Sequence, residues 1–154
     1  MQLTSAAFED QGMIPKKFTG EGDDVSPALF WSQVPAKTKS FALICNDPDA
    51  PPAPGRDIPY VHWVLYNLSP TTSFLPEGAP VEARQGKNSF GKMGYGGPMP
   101  PVGHGIHHYH FELYALDIEL DLNVGASKAE LLKAIEGHVI QTAELVGLYE
   151  RLTD

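Results

Sequence analysis

Proline and glycine cut this chain into short pieces. The 154 residues include 15 Gly and 14 Pro, and these fall between short runs of Val, Ile, Leu and aromatic residues instead of gathering in one tract. Proline lacks the amide hydrogen that a helix interior or a central strand needs, and glycine weakens both. Spacing of this kind predicts a mostly β fold of many short strands joined by ordered loops. No repeat, low-complexity segment or linker-like change of composition divides the chain, so one domain over 1–154 is expected.

The clearest strands are "SFALICN" (40–46), "YVHWVLYN" (60–67) and "HHYHFELYALD" (107–117). Less regular candidates are "MQLTSAAF" (1–8), "ALFWS" (28–32) and a stretch near 144–151. One helix is predicted over 127–137. Ser127 caps its free amides, Glu130 completes a capping box, Gly137 terminates it, and Leu131, Leu132, Ile135 and Val139 form its apolar stripe.

Charge narrows the partners. Eleven Lys and Arg stand against 19 Asp and Glu, a formal net charge of -8, which disfavours nucleic acid and anionic membrane surfaces while leaving room for one local cationic pocket. The N-terminal stretch has no basic start followed by an apolar run, and no segment has the length of a membrane span, so a cytoplasmic protein is expected. The lone Cys45 excludes an internal disulfide and a thiolate zinc cage, and its flanks mark it as core filler.

Two long loops, 47–60 and 88–106, are rich in Pro and Gly; loops of this length in a compact domain usually have a functional reason. The second runs into "GHGIHHYHFELYAL", where His104, His107, His108 and His110 lie within seven positions. Side chains alternate along a strand. His107, Tyr109, Phe111, Leu113 and Ala115 therefore share the core face, while His108, His110 and Glu112 face outward. That parity argues against a metal cage, because His107 cannot join His108 and His110 at one ion; a surface pair at i and i+2 remains open to adventitious metal. No dedicated metal site and no cofactor are expected.

Two further segments end where a core strand meets a Pro/Gly loop. "VHWV" offers His62, on a face shared with Val64 and Tyr66, and "NDPDAP" offers Asp47 and Asp49. Neighbouring strands can bring Asp47, His62, His107 and Tyr109 to one end of a sandwich. A carboxylate beside an imidazole favours its protonated form and fixes which nitrogen faces outward. Two such rings, a phenol and glycine-loop amides make a bowl suited to phosphate or carboxylate.

The segments "SPALFWSQVP", "KSFALICNDPDAP", "HWVLYNL", "FGKMGYGGPMPPVGHGIHHYHFELYALD" and "EGHVIQTAELVGLYER" resemble, in order and from about Phe8 to Arg151, the bacterial branch of the phosphatidylethanolamine-binding protein family, also called Raf kinase inhibitor-like proteins. The resemblance implies an antiparallel β-sandwich with a few helices. It implies an anion pocket at Asp47, His62, His107 and Tyr109, with Asp49, Pro101 and the backbone amide of Met99 at its mouth, and a cis proline at Ala50–Pro51. Two departures stand out. His108 replaces the usual Arg after the pocket histidine, which leaves the pocket intact but puts an outer salt bridge at risk. Gly20 replaces a cysteine common in bacterial relatives, which removes thiol chemistry there.

The functional expectation is a non-catalytic binder of phosphate headgroups, nucleotides or carboxylates, acting as a kinase or protease inhibitor or scaffold, and forming a homodimer by analogy with the family's bacterial members. Two alternatives compete with it. A hydrolase would use a His/Asp-activated water on phosphate or carboxylate esters, since Ser26 and Ser89 lack a nucleophile motif. A protruding loop, 50–58 with Arg56 near its tip, would inhibit protein targets through surface contacts. His104 is expected to shape the pocket rim, and His138, just past the helix, to be structural.

Overall fold

The computed structural model describes residues 1–55, 59–78 and 84–152. Its strands are β1 (Gln2–Thr4), β2 (Gly12–Met13), β3 (Leu29–Ser32), β4 (Ser40–Asp47), β5 (Tyr60–Leu68), β6 (Phe74–Leu75), β7 (Arg84–Gln85), β8 (His107–Leu116) and β9 (Val139–Tyr149); the helix α1 spans Lys128–Ile135. They form a three-stranded sheet in the order β1-β3-β6 and a six-stranded sheet in the order β2-β9-β8-β4-β5-β7. Pairing is antiparallel except where β2 lies parallel to β9. Neither sheet closes on itself, so the architecture is the open, mostly antiparallel sandwich expected.

The core has two layers. Between the sheets, Leu3, Leu29, Trp31 and Leu75 of the small sheet join Phe41, Leu43, Cys45, Trp63, Leu65, Phe111 and Leu113 of the large one. On the other face of the large sheet, Ala42, Ile44, Val64 and Tyr66 are covered by Leu131 and Ile135 of α1 and by Leu120 and Ala126. The middle strand β4 is consequently buried along its whole length. Its near-continuous apolar run follows from that position, since a strand covered on both faces has no side that must face water.

Helix α1 carries the predicted capping box. Glu130 N donates to Ser127 Oγ and Ser127 N donates to Glu130 Oε1, both at 3.1 Å. The predicted stripe needs correction: Leu131 and Ile135 are buried, but Leu132 is exposed, and Val139 is an exposed residue of β9. Leu131 and Ile135 are one turn apart on one face, whereas Leu132 is rotated about 100° from Leu131. Gly137, at φ +79°, lets the chain reverse into β9 five residues earlier than the stretch near 144–151 implied.

Candidate functional site

The ends of β4, β5 and β8 and the loop 88–106 enclose a cavity of about 210 Å³. Asp47, His62, His107 and Tyr109 all line it. Asp47 is the last residue of β4 and shares the inter-sheet face with Cys45, while His107 and Tyr109 begin β8 on the same face. Asp47 and His107 are almost fully buried, and His107 Nδ1 lies 2.6 Å from Asp47 Oδ2. The other Asp47 oxygen accepts the Asp49 amide at 2.8 Å. The rings of His62 and Tyr109 meet edge to face at 5.1 Å between centroids.

His62 reaches the cavity by a different route from the one its sequence neighbours imply. Val64 and Tyr66 pack on the helix side of the sheet, and His62 does not share their face. Cys45 pairs with Trp63 and Asn46 with Val61, so His62 has no partner on β4 and forms a bulge. An extra residue of this kind reverses the alternation on one side of it and re-aims a side chain. The expected face of His62 was wrong for that reason, although its membership of the cluster stands.

Hydrogen bonds orient the rings. His62 Nδ1 lies 2.6 Å from the Gly96 carbonyl, which can only accept, so Nδ1 carries hydrogen and the neutral ring keeps a bare Nε2. Burial lowers the pKa of His62 below the ordinary imidazole value, outweighing the Gly96 carbonyl and the charge of Asp47, both of which raise it. Burial, reinforced by Asp47, raises the pKa of Tyr109 and keeps its phenol a hydrogen donor. The loop is held in turn by Asn88, whose Oδ1 accepts from the amides of Phe90 and Lys92 and whose Nδ2 donates to the Gly94 carbonyl.

Asp49 is not among the residues that line the cavity. Its Oδ2 accepts the His108 amide and faces His108 Nδ1, each at 2.8 Å, on the outer surface. Burial raises its pKa, but the hydrogen bonds and charge of His108 outweigh that and lower it overall. His108 thus supplies an outer hydrogen-bonded contact at the position where the expected Arg is missing. Met99 and Pro101 line the cavity, as do Ala50 and Pro51 of the expected pocket wall, together with Tyr60, Phe90 and Pro100, which sequence reasoning did not single out. Phe90 stacks edge to face on both Tyr60 and His62, at 5.1 and 5.4 Å. The density of aromatic and proline residues in the two long loops was the available signal for these rim residues.

His108 and His110 alternate away from the core face of β8, as parity predicts. His104 is exposed, with Nδ1 2.7 Å from His107 Nε2. His110 faces Glu144 at 3.3 Å and His138 faces Asp117 at 2.9 Å. No group of three or more His, Cys, Asp or Glu side chains suited to a metal ion is present among the described residues. Cys45 is buried, and burial raises its thiol pKa well above the ordinary value. The tip of the 50–58 loop, Arg56 to Ile58, lies outside the described residues. Among the described residues no helix is long and apolar enough to cross a membrane.

The sequence profile of the phosphatidylethanolamine-binding protein family matches residues 4–150. The chain belongs to this family. A UPF0098 protein of Methanothermobacter thermautotrophicus is 47% identical over 157 residues, covering 98% of this chain and 99% of that relative. Among solved structures, a phosphatidylethanolamine-binding protein homologue from Chlamydia trachomatis superposes with a TM-score of 0.92 at 48% identity, covering 97% of both chains. Escherichia coli YbcL, described as a member of the mammalian family, gives 0.86 at 36% identity, again over 97% of both. The names of these members of the phosphatidylethanolamine-binding protein family state no catalytic activity.

Proposed function

We propose that this protein binds small anions, phosphate groups or carboxylates, and performs no chemistry on them. The observation that carries this reading is the buried Asp47–His107 pair beside His62 and Tyr109 in one cavity. Asp47 Oδ2 lies 2.6 Å from His107 Nδ1 and fixes the orientation of the buried ring, leaving Nε2 as its second polar atom. The Tyr109 phenol adds a neutral donor. Pocket volumes for drug-sized ligands run to roughly 300–1,000 Å³, so about 210 Å³ suits a headgroup whose remainder lies outside. Pro51, Phe90, Met99 and Pro101 give that remainder an apolar rim.

The hydrolase reading is weaker because no Ser, Thr or Cys is among the described residues lining the cavity. Only water activated by a histidine would be left as nucleophile. Calorimetric titration with inorganic phosphate and with acetate tests the binding reading. Replacing His107 with Ala should weaken phosphate binding at least about tenfold, the scale of one hydrogen bond to a charged group, and His62→Ala should weaken it by removing the Nε2 acceptor available to a P–OH group. Unchanged affinity in both variants would refute it, and ester turnover that disappears with His107→Ala would favour the hydrolase instead.

A further inference from the structure

We propose that His104 is a built-in competitor for the anion: its ring holds His107 Nε2, and a ligand gains that nitrogen only when His104 lets go. This rests on the anion-binding reading and adds to it an identified occupant of the site.

The argument begins with the capacity of His107. Its ring has two polar atoms, and Nδ1 is committed to Asp47 at 2.6 Å. Nε2 lies 2.7 Å from His104 Nδ1. Each imidazole nitrogen either donates one hydrogen or accepts one. Whichever ring carries the shared hydrogen, His107 has no polar capacity left for a ligand while this contact lasts. His107 lines the cavity, whereas His104 lies outside that lining and approaches from the solvent side.

His104 is also placed to move. Its flanking residues Gly103 and Gly105 sit at φ +74° and +89°, and a Cβ at either would meet nothing within 4 Å. The turn's backbone bonds, His104 N to the Pro101 carbonyl and Gly103 N to the Arg151 carbonyl, are both at 3.2 Å, near the long end of the normal range. His107, by contrast, is buried and fixed within β8. A hydrogen bond of this kind contributes about 0.5–1.5 kcal/mol net, a factor of roughly 2 to 10 in an equilibrium. That is enough to reduce affinity measurably and too little to exclude a charged ligand.

Two measurements test this. Inorganic phosphate is titrated into the unsubstituted protein and into His104→Ala, an exposed substitution outside the core. Expected is an affinity about 3- to 10-fold tighter in the variant; equal or weaker binding would overturn the proposal. Independently, imidazole 15N spectra of the unsubstituted protein should show the His104 nitrogens moving to the values of a free, solvated ring as phosphate saturates the site. His104 signals that keep their bonded positions at saturation would also overturn it. If neither folded protein binds phosphate or sulfate, the anion-binding reading itself falls. Tight binding by the unsubstituted protein with no gain in the variant removes only the role of His104.

Discussion

Asp47 Oδ2 and His107 Nδ1 meet at 2.6 Å across the seam between β4 and β8, with both side chains nearly sealed from water. The pair joins two strands that are also in register along seven residue pairs from Ser40–Leu116 to Asn46–His110. Asp47 therefore stabilises the fold and shapes the site at once.

Asp47→Ala should leave the His107 Nδ1 hydrogen and the Asp49 amide without their acceptor. Two bonds to a buried carboxylate are lost, so a destabilisation of about 3 kcal/mol is expected, measured by urea unfolding in buffer free of phosphate and sulfate. A change under about 0.5 kcal/mol, the size of an ordinary surface substitution, would show that this seam contributes little.

His62 makes stability depend on pH. Its pKa in the folded state lies below the ordinary value of 6.5 because burial disfavours the charged ring. The unfolded chain then binds the proton more readily than the folded one. The contribution is intact above pH 6.5 and is lost as pH falls through the depressed folded value, with a slope of up to about 1.4 kcal/mol per pH unit for one proton. Unfolding curves for the unsubstituted protein and His62→Gln, stepped downward from pH 7.5, should diverge in that window; parallel curves would exclude the effect.

Gly97 marks a close approach behind the site. A Cβ there would lie 2.4 Å from the Phe18 carbonyl oxygen and 2.6 Å from Asp24 Oδ1, which already accepts the Gly97 amide at 2.7 Å. Gly97→Ala must push the loop outward and carry with it the neighbouring Gly96 carbonyl that holds His62. Expected are a loss of about 1–3 kcal/mol from overpacking and weaker phosphate binding, read by calorimetry. Full affinity in the variant would show that the Gly96 carbonyl is not needed to orient the ring.

Helix α1 provides a contrast. It packs on the face of the large sheet opposite the inter-sheet core, away from the cavity. Ser127→Ala should cost about 1 kcal/mol through loss of the capping box, seen as a lower urea midpoint. Phosphate affinity in that variant should not change, and a matching loss of affinity would reveal coupling through β5.

Three of the four long strands, β4, β5 and β8, were legible in the sequence because each is a continuous β-rich run bounded by turn residues; β9, the longest at 11 residues, was legible only over its second half. The inward face of β8 was legible from strict alternation over 107–115, which placed His107 and Tyr109 together and turned His108 and His110 away. The two-residue strands β2, β6 and β7 carry no period to detect. The orientation of His62 depends on how β5 pairs with β4, and a bulge is a property of two strands that neither strand's residues announce. Asp49 misled for a similar reason. Its oxygens had a nearby amide and ring at His108, 59 positions along the chain, and that contact drew it outward.

Cys45 lies two residues before the end of β4, between Phe111 on one side and Trp63 on the other, and it is the chain's sole thiol. A thiol reagent reaches it only when the centre of the large sheet comes apart. The protein thus contains its own chemical clock. The rate at which that sulfur is alkylated reports how often the strand ending in Asp47 opens, and its slowing by phosphate would register occupancy of the bowl from the inside, without any engineered label.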